Sequence, residues 1–352
     1  MKKVAILTIN DDSNYGNRLQ NYASQELLKK HQVSVETIRN EIGIYGILKY
    51  KKKVKELIKL SLPLKKFKKF RNFHSFNRLI KTSRFYIDKN HISPKINKKY
   101  DIFFTGSDQV WNYNFNRMSD IDFLTFVEES KRNSLSASFG IRSIDENLKE
   151  KYSKLLSKFN AISVREDSGK TIVNELTGRK DIEVLLDPTM LLDIEDWIKI
   201  EKKPKHLNEN KYILLYFLGK ISKEREEFIN KITKENNYQI VNIFDKNGKF
   251  SDIGPREWLY LENNASLICT DSFHSCVFSI LFKRDFIVFD REDKNKSMNS
   301  RIDTLLSKFN LENRRFNQLD FLNLFNTDYS NTQEVLKKER EKANNYLKKI
   351  LE

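Results

Sequence analysis

Short apolar runs alternate with polar, amphipathic stretches along most of the chain. In the first half such runs fall at residues 4–9, 33–38, 101–105, 134–138, 161–164 and 182–185. In the second half they fall at 212–218, 239–244, 266–270 and 286–289. Brief runs that stay apolar on consecutive positions suit strands buried on both faces of a parallel sheet. Between them, spacings of three to four predict helices over 17–30, 146–159, 167–176, 223–234, 256–264 and 274–282. A turn at Asn14 and Gly16 is expected before the first helix. Repeated strand–helix units imply an α/β fold with helices on both faces of each sheet. A polar stretch at 201–210, with Pro204, reads as a linker between two halves. The expectation is two Rossmann-like domains facing a cleft, residues 1–200 and 201–332, with an amphipathic helix at 333–352 packed on one of them.

One segment breaks this rhythm. Residues 49–84 hold 11 Lys and 3 Arg against the single acid Glu56, a net +13 of the whole chain's +16. Inside it Val54, Leu57, Ile58, Leu60 and Leu62 precede Pro63, and Phe67, Phe70, Phe73 and Phe76 recur every third residue after it. This pattern predicts two amphipathic helices broken at the proline. Such an insert in the first domain either lies on an anionic membrane surface or packs its apolar stripe on the protein and leaves its lysines solvated. No nucleic-acid recognition signature accompanies the charge, so nucleic acid is not an expected partner.

Composition narrows the class further. At 352 residues with 25 Phe and 14 Tyr the chain can fill two proper cores. No apolar run approaches the length of a spanning helix. The opening MKKVAILTIN reads as a first strand, not a signal peptide. Cys269 and Cys276 make neither a disulfide framework nor a metal cluster, and no dedicated metal site is expected. These features fit the cytoplasm, with the inner face of the plasma membrane as a docking place for 49–84.

In parallel α/β sheets ligands bind beyond the carboxyl ends of strands, so chemistry is expected at those ends. After the first run, Asn17, Gln20 and Asn21 open a helix and could face an anion or sugar hydroxyls; an ordinary Asn/Gly cap explains them as well. After 101–105 come Ser107, Asp108, Gln109 and Trp111. These form a sugar-binding set with Asp108 as general base, or else a helix cap with Trp111 in the core. Arg165 ends another strand and offers a planar fork to a carboxylate or phosphate, or pairs with Glu166 or Asp167. Asp187-Pro188-Thr189 reads chiefly as a turn and helix start. Ser272 and His274 open the helix after 266–270, where His274 could bind phosphate or shuttle a proton. Lys294, Lys296 and Arg301 follow the next strand. Cys276 and Ser272 lack an orienting partner, so nucleophilic catalysis is not supported.

Taken in order, the segments around Asn14–Asn21, 105–112, 136–140, 163–169, 186–191, 212–218, 254–264, 268–282 and 299–306 resemble the polysaccharide pyruvyl transferase family, with Gly106–Trp111 and Thr270–His274 the more specific. The resemblance implies a GT-B-like fold. It also implies transfer of pyruvate from phosphoenolpyruvate to two sugar hydroxyls in a cell-surface polysaccharide precursor, often carried on a lipid diphosphate. A ketal forms and phosphate is released. Phosphoenolpyruvate is then a co-substrate, and no cofactor is expected. In that setting His274 binds phosphate and supplies acid, Arg165 clamps carboxylate or phosphate, and Asp108 activates a hydroxyl. Ser272, Lys294, Lys296 and Arg301 complete the phosphoenolpyruvate side, while Asn17, Gln20, Asn21, Ser107, Gln109 and Trp111 hold the sugar. The family pattern often has Arg before the equivalent of His274; Phe273 stands there in this chain. The alternatives are a GT-B glycosyltransferase using a nucleotide-sugar and a non-catalytic binder of anionic polymers.

Overall fold

A computed structural model describes residues 1–40, 47–88, 91–208, 211–291 and 300–352. The chain forms two compact units, Met1–Ser61 with Asn77–Leu192 and Leu336–Glu352, and Leu62–Phe76 with Asp193–Val335.

In the first unit β1 (Lys3–Leu7), β2 (Ser34–Asn40), β3 (Thr82–Ile87), β4 (Ile102–Gly106) and β5 (Arg132–Leu135) form an all-parallel sheet in the order β3-β2-β1-β4-β5. A separate parallel pair, β6 (Ser163–Val164) and β7 (Glu183–Val184), follows. All five residues of β4 are buried, as its unbroken apolar middle requires. The strand expected over 134–138 stops at Leu135, because Ser136 takes a positive φ of 48° and turns the chain away. The first helix, Tyr15–Lys29, starts two residues earlier than expected. Asn14 caps it by accepting a hydrogen bond from the Asn17 N–H at 3.0 Å, so Gly16 lies inside the first turn and is not a turn residue.

The second unit holds β8 (Tyr212–Tyr216), β9 (Gln239–Asn242), β10 (Leu267–Thr270) and β11 (Phe286–Val288), parallel in the order β11-β10-β8-β9. Helices Lys223–Glu235, Pro255–Asn264, Phe273–Leu281 and Ser300–Phe309 accompany them.

The basic segment does form two helices around Pro63, Ile47–Ser61 and Lys68–Asn77. It does not belong wholly to the first unit, however. Residues 62–76 join the second, where Phe73 is buried, the Asn72 side chain donates to the Asp252 carbonyl at 2.9 Å and Lys68 pairs with Asp252 at 2.9 Å. The division near 200 falls instead after Leu192, and residues 209–210 of the expected linker lie outside the described residues. The C-terminal helix, Thr332–Leu351, joins the first unit from Leu336 onward. There Tyr346 donates its hydroxyl to the Ser134 carbonyl at 2.7 Å and Lys2 reaches the Leu351 carbonyl at 2.7 Å. Among the described residues no helix is long and apolar enough to cross a membrane.

Candidate functional site

In the first unit the loops after β1, β4, β6 and β7 bring one polar network together. It starts at Gly106, whose φ of +119° and position only 2.3 Å (for an added Cβ) from the Leu135 carbonyl oxygen admit no side chain. That close approach turns the chain out of β4 and delivers Ser107 and Asp108 to the strand end. Ser107 donates its hydroxyl to Asp187 at 2.7 Å, and its N–H meets the Gln20 side chain at 3.3 Å. Arg165, at the end of β6, donates to the same Asp187 oxygen at 2.7 Å. Its other terminal nitrogen lies 3.9 Å from Asp108. Asp108 also accepts from the Asn17 amide at 3.0 Å and from the Gln109 N–H at 2.8 Å. The Asn17 amide oxygen in turn takes a hydrogen bond of 2.6 Å from Arg18.

Accessibility sorts the members of this network. The side chains of Arg165 and Asp187 are 1% and 0% exposed, whereas Asp108 keeps 15%. Asp108 is thus a carboxylate held by the Asn17 amide and the Gln109 N–H that still keeps part of its surface in solvent. Arg165 differs from expectation. One terminal nitrogen bonds Asp187, 22 residues along the chain, and the other stands at 3.9 Å from Asp108, so the guanidinium lies between the two carboxylates. Buried charge pairs of this kind hold because each supplies what the other lost from water.

Several residues expected to hold sugar are engaged internally. Trp111 is fully buried; its ring stacks on Phe123 at 5.6 Å with an 8° interplanar angle, packs on Phe139 and Phe159, and donates its indole N–H to the Asp122 carbonyl. It is a core residue, because the turn after Asp108 folds it into the cluster of Phe103, Phe123, Phe139, Tyr152 and Phe159. Gln20 spends its amide on Thr8 at 2.9 Å and on the Ser107 N–H, and Asn21 accepts from Thr37 at 2.7 Å. Gln109 accepts from Asn112 at 2.9 Å and lies so close to Gly140 that an added Cβ there would sit 1.8 Å from its oxygen. Asn17 and the Gln109 N–H therefore hold Asp108 directly, Gln20 supports Ser107 beside it, and Asn21 is tied to β2 instead.

Two acids that the sequence reading gave only local roles join this network, and Asp187 does cap helix Pro188–Leu191 as expected. Asp187 is the counter-ion of Arg165. Glu166, fully buried, accepts from the Ser138 hydroxyl and from the Phe139 and Gly140 N–H groups at 2.8 to 2.9 Å, pinning the loop after β5. Both lie two to three residues beyond a strand end, and that position was the signal available for finding them.

The second unit has its own cluster at the ends of β8 and β10. Asp271 accepts from the Leu218 and Gly219 N–H groups, each at 2.7 Å, and Arg291 lies 3.4 Å from it. This carboxylate, given no role in the sequence reading, ties the loop after β8 to the turn that carries Ser272 and His274. Thr270 steadies that turn by donating to the Tyr216 carbonyl and accepting from the Ser272 N–H. His274 occupies the second position of helix Phe273–Leu281 and keeps 8% exposure. Its ring meets Phe273 edge-on at 5.4 Å, and the Arg301 guanidinium stands 5.4 Å over that same Phe273 ring. Phe273 thus links His274 to a cation on helix Ser300–Phe309. Lys294 and Lys296 lie outside the described residues.

Cys269 and Cys276 are fully buried, and burial pushes both thiols well up, away from thiolate formation. Glu262 is buried too; burial raises its carboxyl well above the usual range, while the Ser275 hydroxyl, donating at 2.7 Å, opposes that rise.

The sequence matches the description of the polysaccharide pyruvyl transferases over residues 14–293, most of the chain. The chain belongs to the polysaccharide pyruvyl transferase family. No curated protein matches the sequence of this pyruvyl transferase. Among solved structures, it is similar to a Listeria monocytogenes protein assigned to the UDP-N-acetylglucosamine 2-epimerases, with 14% identity, 98% of this chain and 92% of that chain covered, and a TM-score of 0.50. It is also similar to the UDP-GlcNAc 2-epimerase of Neisseria meningitidis, solved with UDP-GlcNAc bound, at 11% identity, 97% and 100% coverage and a TM-score of 0.49. At such identity the Listeria likeness shows the fold alone. The transferase has the GT-B-like, two-domain α/β fold with parallel sheets that the resemblance implied.

Proposed function

We propose that this protein moves pyruvate from phosphoenolpyruvate onto two hydroxyls of a sugar in a cell-surface polysaccharide precursor, borne on a lipid diphosphate, with formation of a ketal. Asp108 carries this reading: in a chain of this family, it is the carboxylate of the strand-end network that keeps solvent access, at 15%. The first unit takes the acceptor and the second takes phosphoenolpyruvate.

The terminal carbon of the enol phosphate accepts a proton, which leaves an oxocarbenium-like centre at C2 for the first sugar hydroxyl to attack. The C2–O bond to phosphate then breaks, and the second hydroxyl closes the ring. Of the two hydroxyl protons, one balances the proton gained by the new methyl group and the other leaves with phosphate. Asp108 accepts the proton of an attacking hydroxyl, with the Asn17 amide and the nearby Arg165 guanidinium holding it in place. His274 meets the phosphate and supplies acid. Arg301, standing over Phe273, provides the cation that the residue before His274 does not, with Ser272 beside it. Preplaced positive charge on a departing phosphate is a large catalytic contribution. The co-substrate brings the reactive group, so the reading calls for no cofactor.

The test is acceptor-dependent phosphate release and mass gain, using purified protein, phosphoenolpyruvate and a panel of free and lipid-linked glycans. Asp108→Asn and His274→Gln should each lower turnover by roughly 10²- to 10⁴-fold. The proposal falls if no acceptor supports phosphate release, or if a UDP-sugar is consumed at a rate indifferent to both substitutions.

A further inference from the structure

The helix Ile47–Ser61 contains six lysines against one glutamate, yet the site described above makes no use of it. None of its side chains that the structure describes is buried. Val54, Leu57 and Ile58 are 52%, 57% and 46% exposed, although residues of this kind normally go inside. Leu62 and Leu64, next along the chain, are exposed as well. An apolar cluster this open on a single helix asks for a cover.

The arrangement of the helix specifies the cover. At 3.6 residues per turn Val54, Leu57 and Ile58 fall within an arc of about 100°. Lys51 borders that arc beside Ile58 and Lys53 borders it beside Leu57, with Lys55 and Lys59 further round. All four lysines are exposed or half-buried. Their stems can lie along an apolar layer while the ammonium groups reach its charged rim. A partner protein core would match the leucines but leave the flanking lysines to be desolvated. A soluble polyanion would match the lysines and leave the leucines in water. An anionic bilayer matches both: acyl chains for the arc and headgroup phosphates for the two borders. We propose that helix Ile47–Ser61 is an interfacial anchor that lies in the plane of an anionic lipid leaflet. It would hold this transferase where a lipid-borne acceptor is found. Charge complementarity and exposure alone carry this inference, and it stands whether or not the donor is phosphoenolpyruvate.

The experiment is sedimentation of the full chain with vesicles of phosphatidylcholine alone or with added phosphatidylglycerol. Each lysine near such a surface contributes about 1 kcal/mol, or roughly fivefold. Replacing Lys51, Lys53, Lys55 and Lys59 together with Gln should therefore weaken binding to anionic vesicles by roughly several hundredfold. Leu57→Asp with Ile58→Asp should weaken it by about tenfold or more, through loss of apolar burial. Both variants should keep the wild-type thermal midpoint and full turnover of a soluble acceptor. Equal binding to neutral and anionic vesicles would overturn the proposal. So would anionic binding that survives Leu57→Asp/Ile58→Asp, which is how a simple polyanion site behaves. A dimer dispersed by that same pair would assign the face to a second copy, and a lowered thermal midpoint would assign it to the fold; either outcome refutes the anchor. Vesicle binding needs no turnover, so its failure is distinct from failure of the proposed reaction.

Discussion

Replacing Asp187 by Asn removes one charge from the centre of the first unit and little else. Arg165 donates to Asp187 at 2.7 Å, and the two side chains are 1% and 0% exposed. Asp187 also accepts from the Ser107 hydroxyl at 2.7 Å, the Thr189 N–H at 3.0 Å and the Thr189 hydroxyl at 2.7 Å. The Asn amide can keep part of this geometry, but the guanidinium is left buried beside a neutral group. Asp108, at 3.9 Å, is too far to replace the lost hydrogen bond. Breaking one side of a buried pair costs about 3–5 kcal/mol, and retention of an acceptor places Asp187→Asn near 3. For a unit of this size that lowers the thermal midpoint by roughly 6–12 °C. Combining it with Arg165→Met removes the stranded charge, so the double variant should recover about 2 kcal/mol relative to the sum of the singles. Thermal scans of the four proteins complete the cycle. A shift below about 2 °C, or additive singles, would refute a buried pair that holds the site together.

Two further outcomes separate core from chemistry. Trp111→Ala should destabilise the first unit by about 3–5 kcal/mol in denaturant titration, while Trp111→Phe retains turnover per folded molecule; a Trp111→Phe protein that is stable but cannot use acceptor would return Trp111 to the sugar site. Glu262 carries a pH signature: because burial raises its folded-state pKa, the unfolded chain releases this proton first, and stability falls as pH rises past the ordinary glutamate value near 4.5. Glu262→Gln should keep the Ser275 contact, flatten that fall and raise the thermal midpoint at pH 7 above wild type, and a midpoint unchanged from pH 5 to 8 in both proteins would exclude it.

Local information sufficed for much of this molecule. Strand and helix positions followed from the length and period of apolar runs, because burial on both faces of a parallel sheet leaves few other readings for a run such as 101–105. Errors came where a single backbone angle decided the outcome, as when Ser136 ended β5 early. The strand-end rule picked out Asp108 and His274, and their neighbours, since chain direction alone places those residues at the mouths of the sheets.

The sequence by itself determined the α/β class, most of its strands and helices, the family and the confinement of positive charge to residues 49–84; the edge strand Thr82–Ile87 emerged only in the structure. Only the tertiary structure decided which polar residues face outward. Asp187 is 22 residues from Arg165 along the chain and shares its pocket only because β6 and β7 pair in parallel. Trp111 sits three residues after Asp108 and points to the opposite environment. The basic segment likewise had two readings with one periodicity, and folding separated them: Phe73 went inside, while Val54, Leu57 and Ile58 stayed in water. Periodicity fixes which residues share a face; what covers that face depends on distant segments, and a linear pattern carries no record of them.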